Sequence, residues 1–96
     1  MTLVGLTKPE LTRKLDYDLD LIRSALIAEL DAINLYASHL EHLNDETAKK
    51  VVGHILDEEK EHAAELSCLI MRLDKMQEEK MSEVNASTCI AGGFQI

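Results

Sequence analysis

The feature that most constrains this chain is an apolar repeat with alternating spacings of four and three residues, which occurs in two long stretches. The first stretch comprises Leu15, Leu19, Ile22, Leu26, Glu29, Ile33, Tyr36, Leu40 and Leu43. The second comprises Ala48, Val52, Ile55, Glu59, His62, Leu66, Leu69, Leu73 and Met76. This alternation places its residues along one face of an α-helix and is typical of helices packed in a bundle. We therefore predict an all-α fold, and we call the two rows together the seam.

Local signals set the expected ends of the helices. Thr7-Lys8-Pro9-Glu10 is a capping box with Pro in the first turn, and no Gly or Pro then follows until Gly53. The polar stretch Asn44-Asp45 can cap a second helix. The sequence predicts an antiparallel hairpin with helices at 8–43 and 46–80. We expect a helical domain over residues 1–81 and a flexible C-terminal tail over 82–96.

Composition narrows the function classes. A chain of 96 residues exposes much of its surface when folded alone, so a metal or a partner subunit is expected. The net charge of −8 argues against nucleic acid and anionic membranes and favours cations. The apolar runs are too short to span a membrane, and Met1–Val4 lacks the features of a signal peptide. We therefore expect a cytoplasmic protein in which Cys68 and Cys89 are reduced.

Three polar residues interrupt the seam where Leu would be expected: Glu29, Glu59 and His62. Glu29 lies fifteen residues before Asn44, while Glu59 and His62 lie fifteen and eighteen residues after it. In a hairpin that turns at Asn44, all three would face one another, roughly 22 Å from the turn. The spacing Glu59-x-x-His62 also puts both side chains on one helix face.

A carboxylate within an apolar seam must pair, protonate or bind a metal. One explanation is a Glu–His hydrogen bond that fixes the register of an oligomer. A metal site fits better, because carboxylates and imidazole suit iron, manganese or zinc. Di-iron carboxylate bundles use two helices with one Glu each and two with Glu-x-x-His. This chain carries one of each, so two copies would complete a four-helix bundle with ligands for two metal ions.

The segment Ala25-Leu-Ile-Ala-Glu-Leu-Asp-Ala-Ile-Asn-Leu-Tyr36, followed by Asp57-Glu-Glu-Lys-Glu-His-Ala63, resembles the encapsulated ferritin family over roughly residues 10–80. The resemblance implies a ferritin-like fold and a ferroxidase that oxidises two Fe(II) with O₂ between subunits, for iron storage and detoxification. By motif, Glu29 would be a terminal carboxylate ligand, Glu59 a bridging one and His62 the nitrogen ligand. Zinc, manganese or calcium would be substitute or accessory ions.

The resemblance also implies roles for Tyr36 and Asp31 and an assembly of several subunits. Tyr36 would lie close behind the metal ligands, although packing in the seam explains it equally well. Asp31 would guide iron toward the site, or would be a solvated surface charge. Family members form rings of homodimers, typically decamers, inside an encapsulin nanocompartment. A C-terminal peptide rich in Leu, Gly and Ser usually recruits the shell protein, and residues 89–96 depart from that pattern, whereas other relatives are fused to the shell.

The polar residues outside the seam are expected at the protein surface. His39, His42 and His54 are expected at the surface, as is an acidic face formed by Asp57, Glu58, Glu61 and Glu65, for which a Ca²⁺ contact between dimers is the alternative. Two competing functions stay open. One is rubrerythrin-like reduction of peroxide or O₂ at a di-iron centre, although the chain has no Cys₄ electron-transfer module. The other is a non-catalytic helical oligomer with a polar registry cluster.

Overall fold

Two antiparallel helices and a shorter third one make up the part of the chain that the structure describes. The computed structural model describes Gly5 and residues 7–89, with side chains described as far as Val84. Helix α1 is Lys8–His42, α2 is Glu46–Leu73 and α3 is Lys75–Cys89. The all-α class and the hairpin are confirmed. None of the described helices combines the length and the apolar composition needed to cross a bilayer.

The predicted capping residues begin both hairpin helices. The Thr7 hydroxyl accepts a hydrogen bond from the Glu10 amide at 3.3 Å, and the Glu10 carboxylate accepts one from the Thr7 amide at 2.9 Å. The Asp45 carboxylate accepts from the Ala48 amide at 2.8 Å at the start of α2. These contacts satisfy amides that would otherwise lack a partner in the first turn of each helix.

The prediction of one unbroken second helix over 46–80 is wrong. Helix α2 ends at Leu73, Asp74 adopts an extended conformation with φ −121° and ψ 97°, and α3 begins at Lys75. Helix α3 then continues through Ser82, where we expected the tail to begin, as far as Cys89. No Gly or Pro lies between Ser82 and Cys89 to stop it. Residues 90–96 of the predicted tail lie outside the described part of the chain, and its flexibility stays a prediction.

The core of a single hairpin is thin. Among the described residues only Leu19, Leu56 and Ile70 are buried. Leu19 belongs to the predicted seam, whereas Leu56 and Ile70 each lie one position after a predicted seam residue of α2. The packed face of α2 is thus shifted partway around the helix from the predicted seam, while Val52, Glu59, Leu66 and Leu73 of that seam stay half-buried. Its packed face follows Leu56 and Ile70, and the row with His62 and Leu69 lies at the edge of the hairpin, exposed.

Candidate metal centre

The hairpin brings Glu29 of α1 next to Glu59 and His62 of α2. One ligand atom from each of the three side chains lies within 4.8 Å of the other two. Glu59 and His62 share a face of α2 because they are three residues apart. Equal distance from the loop brings Glu29 to the same level on α1. Within the described residues, no other group of His, Cys, Asp and Glu side chains meets this criterion.

The three side chains converge without hydrogen bonding to one another. His62 Nδ1 lies 3.7 Å from Glu29 Oε1 and 3.8 Å from Glu59 Oε2. Hydrogen bonds between nitrogen and oxygen are about 2.7–3.2 Å long, so both distances are too long. Atoms that bind one ion at about 2.1 Å lie roughly 3–4 Å from each other, which matches these separations. The spacing suits an ion between the groups better than a Glu–His hydrogen bond.

One carboxylate oxygen of the cluster has no partner. Glu29 Oε2 is buried and receives no hydrogen bond from any described residue. Both glutamates approach His62, and within the described chain neither forms an ion pair with Lys or Arg. A buried polar atom without a partner is costly, and a cation would remove that cost. The donor set of carboxylate oxygens with an imidazole nitrogen fits divalent iron, manganese or zinc.

The cluster is more open than a seam position implies. The side chains of Glu29, Glu59 and His62 are 24%, 19% and 46% exposed in the single chain. A groove of about 310 Å³ opens beside Glu29 and His62. It is lined by Ala25, Glu29, His62, Glu65, Leu66 and Leu69. The site is therefore accessible on one side, beside an apolar surface.

Two other predicted site residues lie apart from this cluster. Tyr36 is half-buried seven residues after Glu29, about 10 Å further along α1. Its ring makes an edge-on contact with His39, with the ring centroids 6.2 Å apart. Asp31 is exposed, and a residue two positions from Glu29 points to the opposite side of α1. Within one chain Asp31 is therefore not at the cluster, and the roles implied for both residues stay predictions.

The remaining histidines make local contacts. His54 Nε2 lies 2.6 Å from Glu58 Oε1, one turn along the exposed face of α2. His42 Nδ1 lies 2.9 Å from the Ser38 carbonyl oxygen near the end of α1. Cys68 is a free, exposed thiol, and the Cys89 side chain lies outside the described part.

Glu65, predicted to lie on a solvated acidic face with a Ca²⁺ contact between dimers as the alternative, lines the groove beside Glu29 and His62. Its position three residues after His62, one turn along the same side of α2, was the signal available in the sequence.

An all-α hairpin with two carboxylates and an imidazole converging between its helices has the character of half of a carboxylate-bridged metal bundle. The profile of the EncFtn-like family matches residues 7–87. The chain belongs to this family, the encapsulated ferritins, as the motifs around Glu29 and His62 indicate.

Two relatives extend this assignment. The chain is 54% identical over 56 residues to the encapsulin nanocompartment cargo protein EncC of Myxococcus xanthus, covering 58% of this chain and 43% of that protein. It is 38% identical over 94 residues to the ferritin-like–encapsulin shell fusion protein of Pyrococcus furiosus, covering 98% of this chain and 24% of that protein. The alignments thus span less than half the length of either relative. No solved structure matches the chain.

Proposed function

We propose that this protein is a ferroxidase, which oxidises Fe(II) to Fe(III) with O₂ at a di-iron site shared between two copies of the chain. The observation that carries this proposal is the buried oxygen of Glu29 without a partner, next to a second carboxylate and an imidazole that do not hydrogen bond to it. This arrangement leaves negative charge uncompensated at one level of the hairpin. Iron is the substrate that would occupy it.

The number of ligands supports a second copy of the chain. One chain offers two carboxylates and one imidazole in its cluster, which is too few for two iron ions. Two chains offer four carboxylates and two imidazoles, the complement of a di-iron carboxylate bundle. The groove beside Glu29 and His62 has an apolar wall of Ala25, Leu66 and Leu69, on which a partner helix can pack. We propose that the homodimer closes over this groove, and that dimers assemble further into a ring.

Each side chain has a distinct role in this proposal. Glu59, the less exposed carboxylate, would bridge the two irons, while Glu29 would bind one of them terminally. His62 supplies the nitrogen ligand from the neighbouring turn. Negative charge from the carboxylates favours Fe(III) over Fe(II), which lowers the cost of oxidation. The half-exposed imidazole lies on the side from which iron and O₂ can arrive.

The electrons balance for a pair of irons. Oxidation of two Fe(II) releases two electrons, and reduction of one O₂ by these electrons with two protons yields one H₂O₂. The proposal therefore expects about two Fe(II) oxidised for each O₂ consumed in the first turnover. A rubrerythrin-like enzyme would instead consume peroxide faster than O₂, so the rates of iron oxidation measured separately with peroxide and with O₂ distinguish the two reactions.

An encapsulin shell is the proposed partner. One relative is named as encapsulin cargo and the other as a fusion to an encapsulin shell. A bundle of two hairpins has no enclosed volume in which ferric product could accumulate, so a compartment around it would complete iron storage. We propose that the chain works inside such a nanocompartment in the cytoplasm.

The test is iron oxidation by matched variants. Apo-protein loaded anaerobically with Fe(II) and mixed with O₂ should develop ferric absorbance much faster than buffer. Glu59→Gln and His62→Ala should each remove this acceleration. Glu58→Gln is the matched control, because it changes a carboxylate one residue away that pairs with His54 outside the cluster. Equal rates in the wild type and all three variants would contradict the proposal. Native mass spectra without bound metal, with an oligomer unchanged by Glu29→Leu, would favour the purely structural alternative.

A further inference from the structure

The junction between α2 and α3 is a single residue, Asp74. Its amide donates to the Ile70 carbonyl at 2.8 Å and so closes α2. Its carbonyl accepts from the Glu78 amide at 3.1 Å and so opens α3. The same residue therefore ends one helix and begins the next, with no loop between them.

Nothing in the local sequence requires a break at this point. No Gly or Pro occurs between Gly53 and Gly92, and the residues around the junction are ordinary helix formers. An Asp inside a helix is tolerated, although its side chain competes for backbone amides. The cause of the break must therefore be sought in the contacts that the Asp74 side chain makes.

The Asp74 carboxylate uses its two oxygens for two different helices. Oδ1 accepts from the Gln77 amide at 3.2 Å, which caps α3. Oδ2 accepts from Arg23 Nη2 of α1 at 2.6 Å. One contact favours a new helix start at this residue, and the other fixes that start to α1, fifty-one residues earlier in the chain.

An apolar groove beside this junction agrees with the contact between Asp74 and Arg23. Ile70, Met81 and Ile27 of α1 all line one apolar groove of about 330 Å³. In an unbroken helix, Ile70 and Met81 would be eleven residues and roughly 16 Å apart along the axis. Both can border so small a groove because the chain bends at Asp74.

We propose that Asp74 is a conformational lock: its carboxylate both starts α3 and ties that start to Arg23, and without it α2 and α3 join into one continuous helix. The lock is independent of the metal cluster, so it holds in the protein without iron. It determines where the apolar side chains Met81 and Val84 of α3 are presented.

Spin-label distances test the lock directly. Ala64 and Ser82 are exposed and eighteen residues apart, which is five helical turns, so labels at Ala64→Cys and Ser82→Cys would lie on one side of a straight helix. Cys68→Ser and Cys89→Ser remove the native thiols. Labelled protein diluted into unlabelled protein reports only distances within one chain. An unbroken helix would separate the two backbone positions by about 27 Å.

In the wild type we expect a separation shorter than that of the unbroken helix. Asp74→Ala should shift the main distance toward the straight-helix value. Arg23→Gln, which keeps the cap, should retain the bend but broaden the distribution. Lys80→Gln, which removes only the Lys80–Glu83 pair within α3, is the matched control and should leave the distribution unchanged. A distribution unchanged in Asp74→Ala would overturn the proposal. If Asp74→Ala does not fold, an unchanged distribution in Arg23→Gln would overturn the tie to α1.

Discussion

Two levels of the same hairpin show opposite behaviour. Near the open end, the apolar side chains of Leu19 and Ile70 are both buried, although Ile70 also borders the groove toward α3. Nearer the loop, Glu29, Glu59 and His62 interrupt the repeat, and they leave an oxygen without a partner and a groove beside it. At the first level, single-chain packing is enough to bury two apolar side chains. At the second level, one chain supplies neither a partner for Glu29 Oε2 nor a cover for the groove. This is the physical basis for proposing a metal and a second subunit there.

Glu59→Leu should have the largest effect, because it makes the polar level resemble the apolar one. We expect iron-dependent O₂ consumption to fall to the level of buffer, since a bridging ligand is lost. The unfolding free energy of the apo-protein should be unchanged or about 1 kcal/mol higher, because an apolar group replaces a poorly satisfied carboxylate. Oxygen-electrode assays and urea unfolding measure the two effects. Loss of activity with a large loss of stability would mean that Glu59 is mainly structural.

Ile70→Ala tests the buried apolar packing near the open end of the hairpin. Ile70 is 7% exposed, and its truncation should cost about 2–4 kcal/mol of unfolding free energy through lost burial and a cavity. Urea unfolding of the apo-protein at fixed concentration measures the loss. The bound iron per chain should stay the same under folding conditions. A cost no larger than that of an exposed-site mutation would show that this level is not the core.

Leu69→Lys tests whether the edge row meets a partner. Leu69 neighbours Ile70 but is 38% exposed and lines the groove at the cluster. If a second copy covers it, a charge there should weaken dimerisation at least about tenfold, because a lysine would be desolvated in the interface. Analytical ultracentrifugation without iron measures this effect, and the exposed substitution Lys80→Gln serves as the control. Equal dimerisation in both variants would place the interface elsewhere.

Glu58→Gln should have the smallest effect. It removes the His54–Glu58 pair, in which the side chains are largely exposed to solvent. Exposed pairs of this kind contribute about 0–0.5 kcal/mol, so the thermal unfolding midpoint should hardly change. A shift as large as that of Ile70→Ala would show that this face is covered in the assembled protein.

Local signals explain what the sequence revealed. Thr7 and Asp45 are capping residues that act within three positions of themselves, so the starts of α1 and α2 could be predicted. The meeting of Glu29 with Glu59 and His62 followed from their equal distance to the loop, which requires only an antiparallel hairpin.

Two features could not be predicted from local patterns. The packed face of α2 was ambiguous because apolar residues occupy adjacent positions, Ile55-Leu56 and Leu69-Ile70, so the repeat fits two faces of the helix. At Asp74 the cap on the Gln77 amide is local, but the contact with Arg23 is not, because Arg23 is distant in sequence and meets Asp74 only after the hairpin has formed. Periodicity along the chain contains no information on such a contact.

A crystal structure of iron-loaded protein, with anomalous scattering data collected at the iron edge, is the most direct test of the proposed di-iron site shared between two chains. Two iron peaks are expected for each pair of chains, both in contact with Glu29, Glu59 and His62 from the two subunits. Iron bound only at other residues, or these side chains facing solvent with no partner subunit nearby, would contradict it.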